Sequence, residues 1–258
     1  MNITIKTKDQ IELMRIAGRA VAAALEAMKN AIDPGNTSTA DLDNVAAETL
    51  KQFGATSSLL NYKPSFSDVA YLHTTCISVN NEVVHGVPSA SRILKEGDIV
   101  GLDLDAAIGG WVADSAITVP VGRVSASAAN LITVTRDAMY KAIAQAKVGN
   151  RTGDIGAAMQ RHCERSRYNV VRECQGHGIG QTPHEGPDVP CFGKPGKGTL
   201  LRPGMTICIE PMVNAGTWRL DSVPGDPWTL VTGDGSLSAH FEHTVAITDD
   251  GPDILTKL

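Results

Sequence analysis

The sequence lacks several features that mark particular classes of protein. Its 258 residues contain no stretch near the roughly 18 uninterrupted apolar residues that a membrane span needs. Residues 1–14 are charged and have no apolar core of the kind found in secretory signals. The five cysteines are an odd number and form no Cys-x-x-Cys pair, which indicates reduced thiols rather than disulfides or a thiolate zinc site. We therefore expect a cytoplasmic protein with no membrane partner.

Several common binding and catalytic signals are also missing. The net charge is −5 and no run of Lys or Arg occurs, which argues against nucleic acid as a partner. The sequence contains no Gly-x-Ser-x-Gly elbow, P-loop or dinucleotide-binding glycine fingerprint. His184-Glu185 begins like the zinc motif His-Glu-x-x-His, but Asp188 stands where the second histidine is needed. The apolar content of 42% is ordinary and fits one large domain or two small ones with a buried core.

The two halves of the chain repeat one plan of helices followed by strands. The first helix is predicted to start after Thr7, with Gln10 as its capping-box partner, and a second to end at Gly54. In the second half, a helix is predicted over about 128–146 and another around Ile155 and Met159. Strands are predicted near 76–79, 99–104, 112–119, 205–210, 228–232 and 241–247.

The predicted strands align more closely than the helices do. Glu96–Asp103 lies over Pro203–Glu210, and in both segments a carboxylate follows a glycine by six residues. In the next aligned strands, Asp114 lies over Glu242. We infer one domain over 1–258, built of two pseudo-symmetric αβ halves of about 1–124 and 125–258 that meet at a central site.

These four aligned carboxylates lie in apolar strand segments, where a charge is costly unless it is paired or bound to metal. A single one would more simply be an ion-pair partner. However, residues 103–122 and 203–218 contain no Lys or Arg to neutralise four of them. A pair of divalent ions such as Mn²⁺, Fe²⁺ or Co²⁺ resolves the repulsion, because carboxylates can bridge two ions.

Two histidines are candidates for the same site. His177 lies between Gly176 and Gly178, whose small size lets backbone segments approach closely. Alone it would be read as a turn histidine, and beside the carboxylates it becomes the one imidazole ligand. His85 follows an apolar strand-like run, and it is either a loop histidine or a hydrogen-bonding group at the edge of the site.

Several long motifs closely resemble those of type I, bacterial-type, methionine aminopeptidases. The resemblance covers nearly the whole chain, from Ile5 to Thr256. The motifs that carry it are Asn80–Gly86, Gly97–Val100, Gly176–Gly180, His184–Glu185, Pro203–Thr206, Ile209–Gly216 and Ser236–Thr244.

The resemblance implies a pita-bread fold, an α+β architecture whose two pseudo-symmetric halves place antiparallel sheets around a central dinuclear metal site. It implies that Asp114 and Glu242 bridge two ions, that Asp103 completes one ion, and that His177 and Glu210 complete the other. The ions are divalent, and the ligand set accepts Co, Mn, Fe, Zn or Ni without fixing which.

The implied activity is hydrolytic removal of the N-terminal methionine from polypeptides, with nascent chains at the ribosome as partners and a monomer as the active form. Glu210 would shuttle a proton from the metal-activated bridging water to the leaving amine. His85 and His184 would contact the substrate at the scissile bond, and His184 would donate a hydrogen bond to the oxyanion. The free α-amine of the substrate would bind one metal, which explains exopeptidase selectivity. The methionine pocket would be lined by Tyr71, Cys76 and Trp228.

Three positions depart from the family pattern. Pro183 stands where an aromatic residue is common, and segment 62–70 lacks the usual Tyr/Gly pattern. Both bear on how strictly the pocket selects methionine. Asp105 stands where the family usually has Thr, on the same strand face as Asp103. We expect it to be hydrogen-bonded beside the metals rather than to ligate them.

Two alternatives use the same fold. One is an Xaa-Pro aminopeptidase or prolidase, although such enzymes generally carry a large N-terminal domain, and we expect this chain to start at the catalytic half. The other is a non-catalytic binding protein. Relatives of that kind usually lose metal ligands, whereas all five implied ligands are present here.

Overall fold

The computed structural model describes residues 2–63 and 68–258, and over these residues it has an α+β architecture with four helices. Predicted features of Pro64, Ser65, Phe66 and Ser67 lie outside the described residues. The helices are α1 (Lys8–Asn30), α2 (Thr39–Gln52), α3 (Ala126–Ile143) and α4 (Thr152–Arg165).

The strands are short except for β3 and β4. They are β1 (Cys76–Val79), β2 (Glu82–Val84), β3 (Ile99–Ile108), β4 (Trp111–Pro120), β5 (Asn169–Val170), β6 (Gln175–Gly178), β7 (Glu185–Pro190), β8 (Thr206–Ile209), β9 (Met212–Asn214), β10 (Leu220–Ser222), β11 (Leu230–Thr232), β12 (Ser238–His240), β13 (Glu242–Thr248) and β14 (Gly251–Ile254).

Side-chain caps fix where the helices begin. The Thr7 hydroxyl accepts a hydrogen bond from the Gln10 amide at 3.3 Å, and the Gln10 side chain accepts one from the Thr7 amide at 2.9 Å. This confirms the predicted capping box. Helix α3 begins at Ala126, two residues before the predicted start, because the Ser125 hydroxyl caps its first turn.

The largest sheet is antiparallel and nearly symmetric about its centre. Its strand order is β1-β3-β4-β13-β8-β6-β7, with β14 also paired to β13. Strands β4 and β13 are central neighbours, β3 and β8 flank them, and β1 and β6 lie outside those. The strands predicted to be equivalent, β3 with β8 and β4 with β13, therefore occupy equivalent positions on the two sides of the sheet centre. The division of the chain near residue 124 stays a prediction.

The two faces of this sheet have different surroundings. In β3, Val100, Leu102 and Leu104 pack with Val21 and Leu25 of α1, which lies against β3 and β4. Side chains alternate along a strand, so Asp103, between Leu102 and Leu104, points to the opposite face of the sheet, where the site lies.

Two smaller three-stranded sheets border the site, in the orders β10-β11-β2 and β12-β9-β5. They bring His85, directly after β2, and His240, at the end of β12, to its edge. Over the described residues, the helices are too short or too polar to cross a membrane.

Candidate functional site

The register of the central strands places the acidic side chains on one sheet face. Ala116 of β4 pairs with Asp103 of β3 on one side and with Glu242 of β13 on the other. Asp114 lies two residues before Ala116, and Asp105 pairs directly with Asp114. Paired residues point to the same face of a sheet, and so do alternate residues along one strand. The carboxylates of Asp103, Asp105, Asp114 and Glu242 therefore lie on one face.

His177 and Glu210 reach the same face from the second half of the chain. The Nε2 atom of His177 lies 3.4 Å from Oε1 of Glu210. The Nδ1 atom of His177 lies 3.0 Å from the Gly178 carbonyl oxygen, so the Nδ1–H donates there and Nε2 is left with its lone pair. A side chain at Gly178 would collide with the Gly186 carbonyl, which explains why glycine flanks this histidine.

A cavity of 180 Å³ opens between these groups. The five predicted metal ligands line it, together with Cys76, His85 and His184 of the predicted substrate-binding set. Tyr71 and Trp228 pack with Cys76 in one buried cluster but face a neighbouring cavity of 250 Å³. Their rings meet edge-on with centroids 5.1 Å apart, so they form the wall behind Cys76.

Burial and mutual repulsion oppose ionisation of these carboxyl groups. Burial, aided by the charge of Asp105, raises the pKa of Asp103 to about 7. Burial first, and the neighbouring carboxylates second, raise the pKa values of Asp114, Glu210 and Glu242 well above their usual range. Over residues 2–63 and 68–258, no Lys or Arg forms an ion pair with any of them.

The donor set fits a divalent cation. Asp114 Oδ1 and Glu242 Oε1 are buried without a hydrogen-bond partner in the described structure. Such orphaned acceptors are costly, and a cation would satisfy both. Burial, and then His184, lower the pKa of His177 to about 3, which keeps its imidazole neutral as a ligand must be.

The tightest group of possible ligand atoms comprises Asp114, His177, Glu242 and also Cys208, all within 4.8 Å of one another. Asp103 and Glu210 line the same cavity outside this tight group. Cys208 was not predicted. Burial raises the pKa of its thiol well above the usual range, so the thiol stays protonated beside the carboxylates.

Further cavity residues also escaped prediction, among them His240 and Leu59. His240 Nε2 lies 3.7 Å from Glu210 Oε2, and burial, with His85 second, lowers the pKa of His240 to about 3. Its place two residues before Glu242 was an available signal, since alternate residues share a face. Leu59 comes from a loop, and no sequence pattern pointed to it.

Asp105 is buried, at 1% exposure, and its Oδ1 accepts a hydrogen bond from the Ser58 amide at 2.9 Å. The hydrogen bond fits the expectation from the sequence, and the expectation that Asp105 does not ligate metal stays a prediction. His85 adopts a left-handed backbone conformation, with φ of 59°, which is uncommon outside glycine. This conformation ends β2 and turns the chain at the cavity edge.

Comparison with known proteins places these features in a family. The sequence profile of metallopeptidase family M24 matches residues 12–249. A methionine aminopeptidase of Clostridium acetobutylicum is 44% identical over 98% of this chain and 98% of its own length. Methionine aminopeptidase 1 of Bacillus subtilis is 45% identical over 99% of this chain and 100% of its own length.

Solved structures agree with the sequence matches. The crystal structure of a methionine aminopeptidase from Thermotoga maritima covers 100% of both chains with a TM-score of 0.95 and 43% identity. This match confirms the predicted pita-bread fold. A prolidase from Pyrococcus furiosus covers 98% of this chain and 65% of its own, with a TM-score of 0.76. At 24% identity it shows the shared fold alone.

Proposed function

The chain belongs to metallopeptidase family M24 and, within it, to the methionine aminopeptidases, and we propose that it removes the N-terminal methionine from polypeptide chains. The observation that carries the proposal is the convergence of buried and half-buried carboxylates and one neutral imidazole on a cavity beside an apolar wall. A prolidase activity is not favoured, because the prolidase match extends to the fold only.

As a metallopeptidase, the protein depends on divalent metal. We propose two ions, held by Asp103, Asp114, His177, Glu210 and Glu242. When bound, they supply Lewis acidity, which lowers the pKa of a nucleophilic water and polarises the scissile carbonyl.

The remaining chemistry belongs to side chains at the cavity. Glu210 accepts a proton from the attacking water at a carboxylate oxygen and passes it to the leaving amine. His240 Nε2 faces Glu210 Oε2 at 3.7 Å and has no hydrogen-bond partner in the described structure. Burial lowers the pKa of His184, so this ring is neutral and donates one N–H to the developing oxyanion. His85 contacts the substrate on the other side of the cavity.

The apolar wall supports methionine as the substrate side chain. Cys76 lines the cavity, and Tyr71 and Trp228 pack behind it. The Tyr71 hydroxyl, which has one proton to donate, lies 2.8 Å from the Thr75 carbonyl oxygen and 3.2 Å from that of Gly86, which anchors the ring in the wall. A rigid apolar pocket discriminates by roughly 1–3 kcal/mol per methylene.

We further propose the cytoplasm as the location and nascent polypeptides as the substrates. The five cysteines are free thiols, a state that a reducing compartment maintains. The monomeric state implied by the family resemblance can be measured by light scattering.

The function is tested by removing metal and restoring Mn²⁺, Co²⁺, Fe²⁺ or Zn²⁺ separately. Met-Ala-Ser, N-acetylated Met-Ala-Ser and Ala-Pro are then assayed as substrates. We expect methionine release from the free-amine tripeptide only, and only with metal. Cleavage of Ala-Pro instead would place the activity with the prolidases. Folded, metal-loaded protein that hydrolyses none of them would instead support a binding role.

A further inference from the structure

Tyr62 contacts the ring of His184 from a loop in the first half of the chain. The two rings are stacked, with centroids 5.7 Å apart and an angle of 26° between their planes. The Tyr62 hydroxyl lies 3.3 Å from His184 Nδ1. The His184 ring also lies against His177, with centroids 4.2 Å apart. His184 therefore contacts both a proposed metal ligand and a tyrosine.

Backbone hydrogen bonds fix Tyr62 in this place. Its amide donates to the Leu59 carbonyl at 2.8 Å, and its own carbonyl accepts from the Tyr71 amide at 2.9 Å. The Asn61 amide donates to the Tyr71 carbonyl at 2.7 Å. Tyr71 is the buried wall of the methionine pocket, so the position of Tyr62 is tied to that wall.

The hydroxyl contact has a direct consequence for the chemistry of His184. A neutral imidazole carries one N–H, and the partner of one ring nitrogen decides which nitrogen holds the proton. For His184 to donate from Nε2 to an oxyanion, Nδ1 must accept. A tyrosine hydroxyl can donate to Nδ1 and so select that tautomer.

We propose that Tyr62 is a positioning residue that fixes the ring orientation and the Nε2–H tautomer of His184. The inference rests on the oxyanion-binding role proposed for His184. Residue 183, directly before His184, is Pro and offers no aromatic ring, so Tyr62 supplies the aromatic surface from a distant part of the chain.

The test uses Tyr62→Phe, which keeps the ring and removes the hydroxyl, and Tyr62→Leu, which removes both. The matched control is Tyr168→Phe, whose hydroxyl bonds Asn130 and the Ser127 carbonyl at the surface. With Met-Ala-Ser, we expect Tyr62→Phe to lower kcat about 3- to 10-fold, the effect of one neutral hydrogen bond. We expect KM to stay within about twofold, since the contact matters most in the transition state. Tyr62→Leu should lower kcat further, and Tyr168→Phe should match the parent.

A second readout reports the tautomer itself. In the Zn²⁺-loaded protein, long-range ¹H–¹⁵N correlations assign the His184 ring by its loss in His184→Ala. We expect the Nε2–H form in the parent and a mixture of tautomers in Tyr62→Phe. In His184→Ala, adding Tyr62→Phe should cost no further activity.

The outcomes separate the two claims. Parent-like turnover of His184→Ala would overturn the proposed role of His184. A large loss in His184→Ala, combined with parent-like kcat and an unchanged tautomer in Tyr62→Phe, would overturn the positioning role of Tyr62 alone.

Discussion

Replacing Lys6 by Met should destabilise the protein strongly, because Lys6 is paired inside it. Its Nζ atom lies 2.7 Å from Glu185 Oε2, and the two side chains are only 2% and 11% exposed. The pair ties the N-terminal segment to the loop that carries His184. The same two segments are joined by the Gly186 amide, which donates to the Asn2 carbonyl at 3.0 Å.

The magnitude follows from what the substitution leaves behind. Burial alone would raise the pKa of Glu185, but hydrogen bonds from Lys6 and Thr4 outweigh it, so this pKa is lowered overall. For Lys6, burial outweighs the hydrogen bond and charge of Glu185 and lowers the pKa of the ammonium group, so burying the lysine offsets part of what the pair contributes. Removing one partner of a buried pair costs roughly 3–5 kcal/mol, because the other charge stays buried without compensation. Glu185 keeps some solvent and the Gln181 amide as a donor, so we expect about 3 kcal/mol, near the low end of that range.

Urea unfolding followed by tryptophan fluorescence measures this loss at a fixed metal concentration. The control is Lys8→Met, an exposed lysine two residues away, which should change the free energy of unfolding by less than about 0.5 kcal/mol. The double variant Lys6→Met with Glu185→Gln should recover part of the loss, since no lone charge remains. Because the pKa of Glu185 is lowered on folding, the contribution of the pair should vanish as pH falls through that pKa. A Lys6→Met protein as stable as Lys8→Met would show that the buried Lys6–Glu185 pair does not contribute to stability.

Three further predictions concern the cavity. Glu210→Gln should lower kcat by about 10²- to 10⁴-fold in metal-loaded enzyme, and near-normal turnover in a steady-state assay would contradict the proton shuttle. Without metal, the melting temperature should fall as pH rises from about 4 toward 7, since Asp103 has a pKa of about 7 in the folded chain against 3.8 for the free group. Excess Mn²⁺ should remove this dependence of the melting temperature on pH. A metal-free protein whose melting temperature does not change over this pH range would contradict the raised pKa of Asp103. Asp105→Asn keeps an acceptor for the Ser58 amide, so calorimetry should show metal affinity within about threefold of the parent, whereas a loss of tenfold or more would indicate direct ligation.

Much of the site was predictable because strand periodicity carries strong information. Asp103, Asp114 and Glu242 fall on one face through alternation and antiparallel pairing, which the aligned segments already indicated. The same rule, applied two residues before Glu210, would also have placed Cys208 on this face. Cys208 gave no functional signal, because an isolated buried cysteine is more commonly a packing residue. Local signals likewise predicted the start of α1 at the Thr7 capping box.

The parts that escaped prediction depend on contacts between distant segments. Tyr62 meets His184, 122 residues away, and its own backbone bonds to Leu59 and Tyr71 hold it in place. No local sequence pattern predicts the contact between these two segments. The short strand β10 was also missed, since three residues show no periodicity of their own and are held by pairing with β11.

Anomalous diffraction from crystals of the Zn²⁺-loaded protein shows directly whether five side chains hold two divalent ions. We expect two peaks per chain about 3.5–4 Å apart in the cavity, with Asp114 and Glu242 touching both ions. Asp103 should touch one ion, and His177 and Glu210 the other. One peak only, or peaks bound by other residues, would show that the proposed ligand set is wrong.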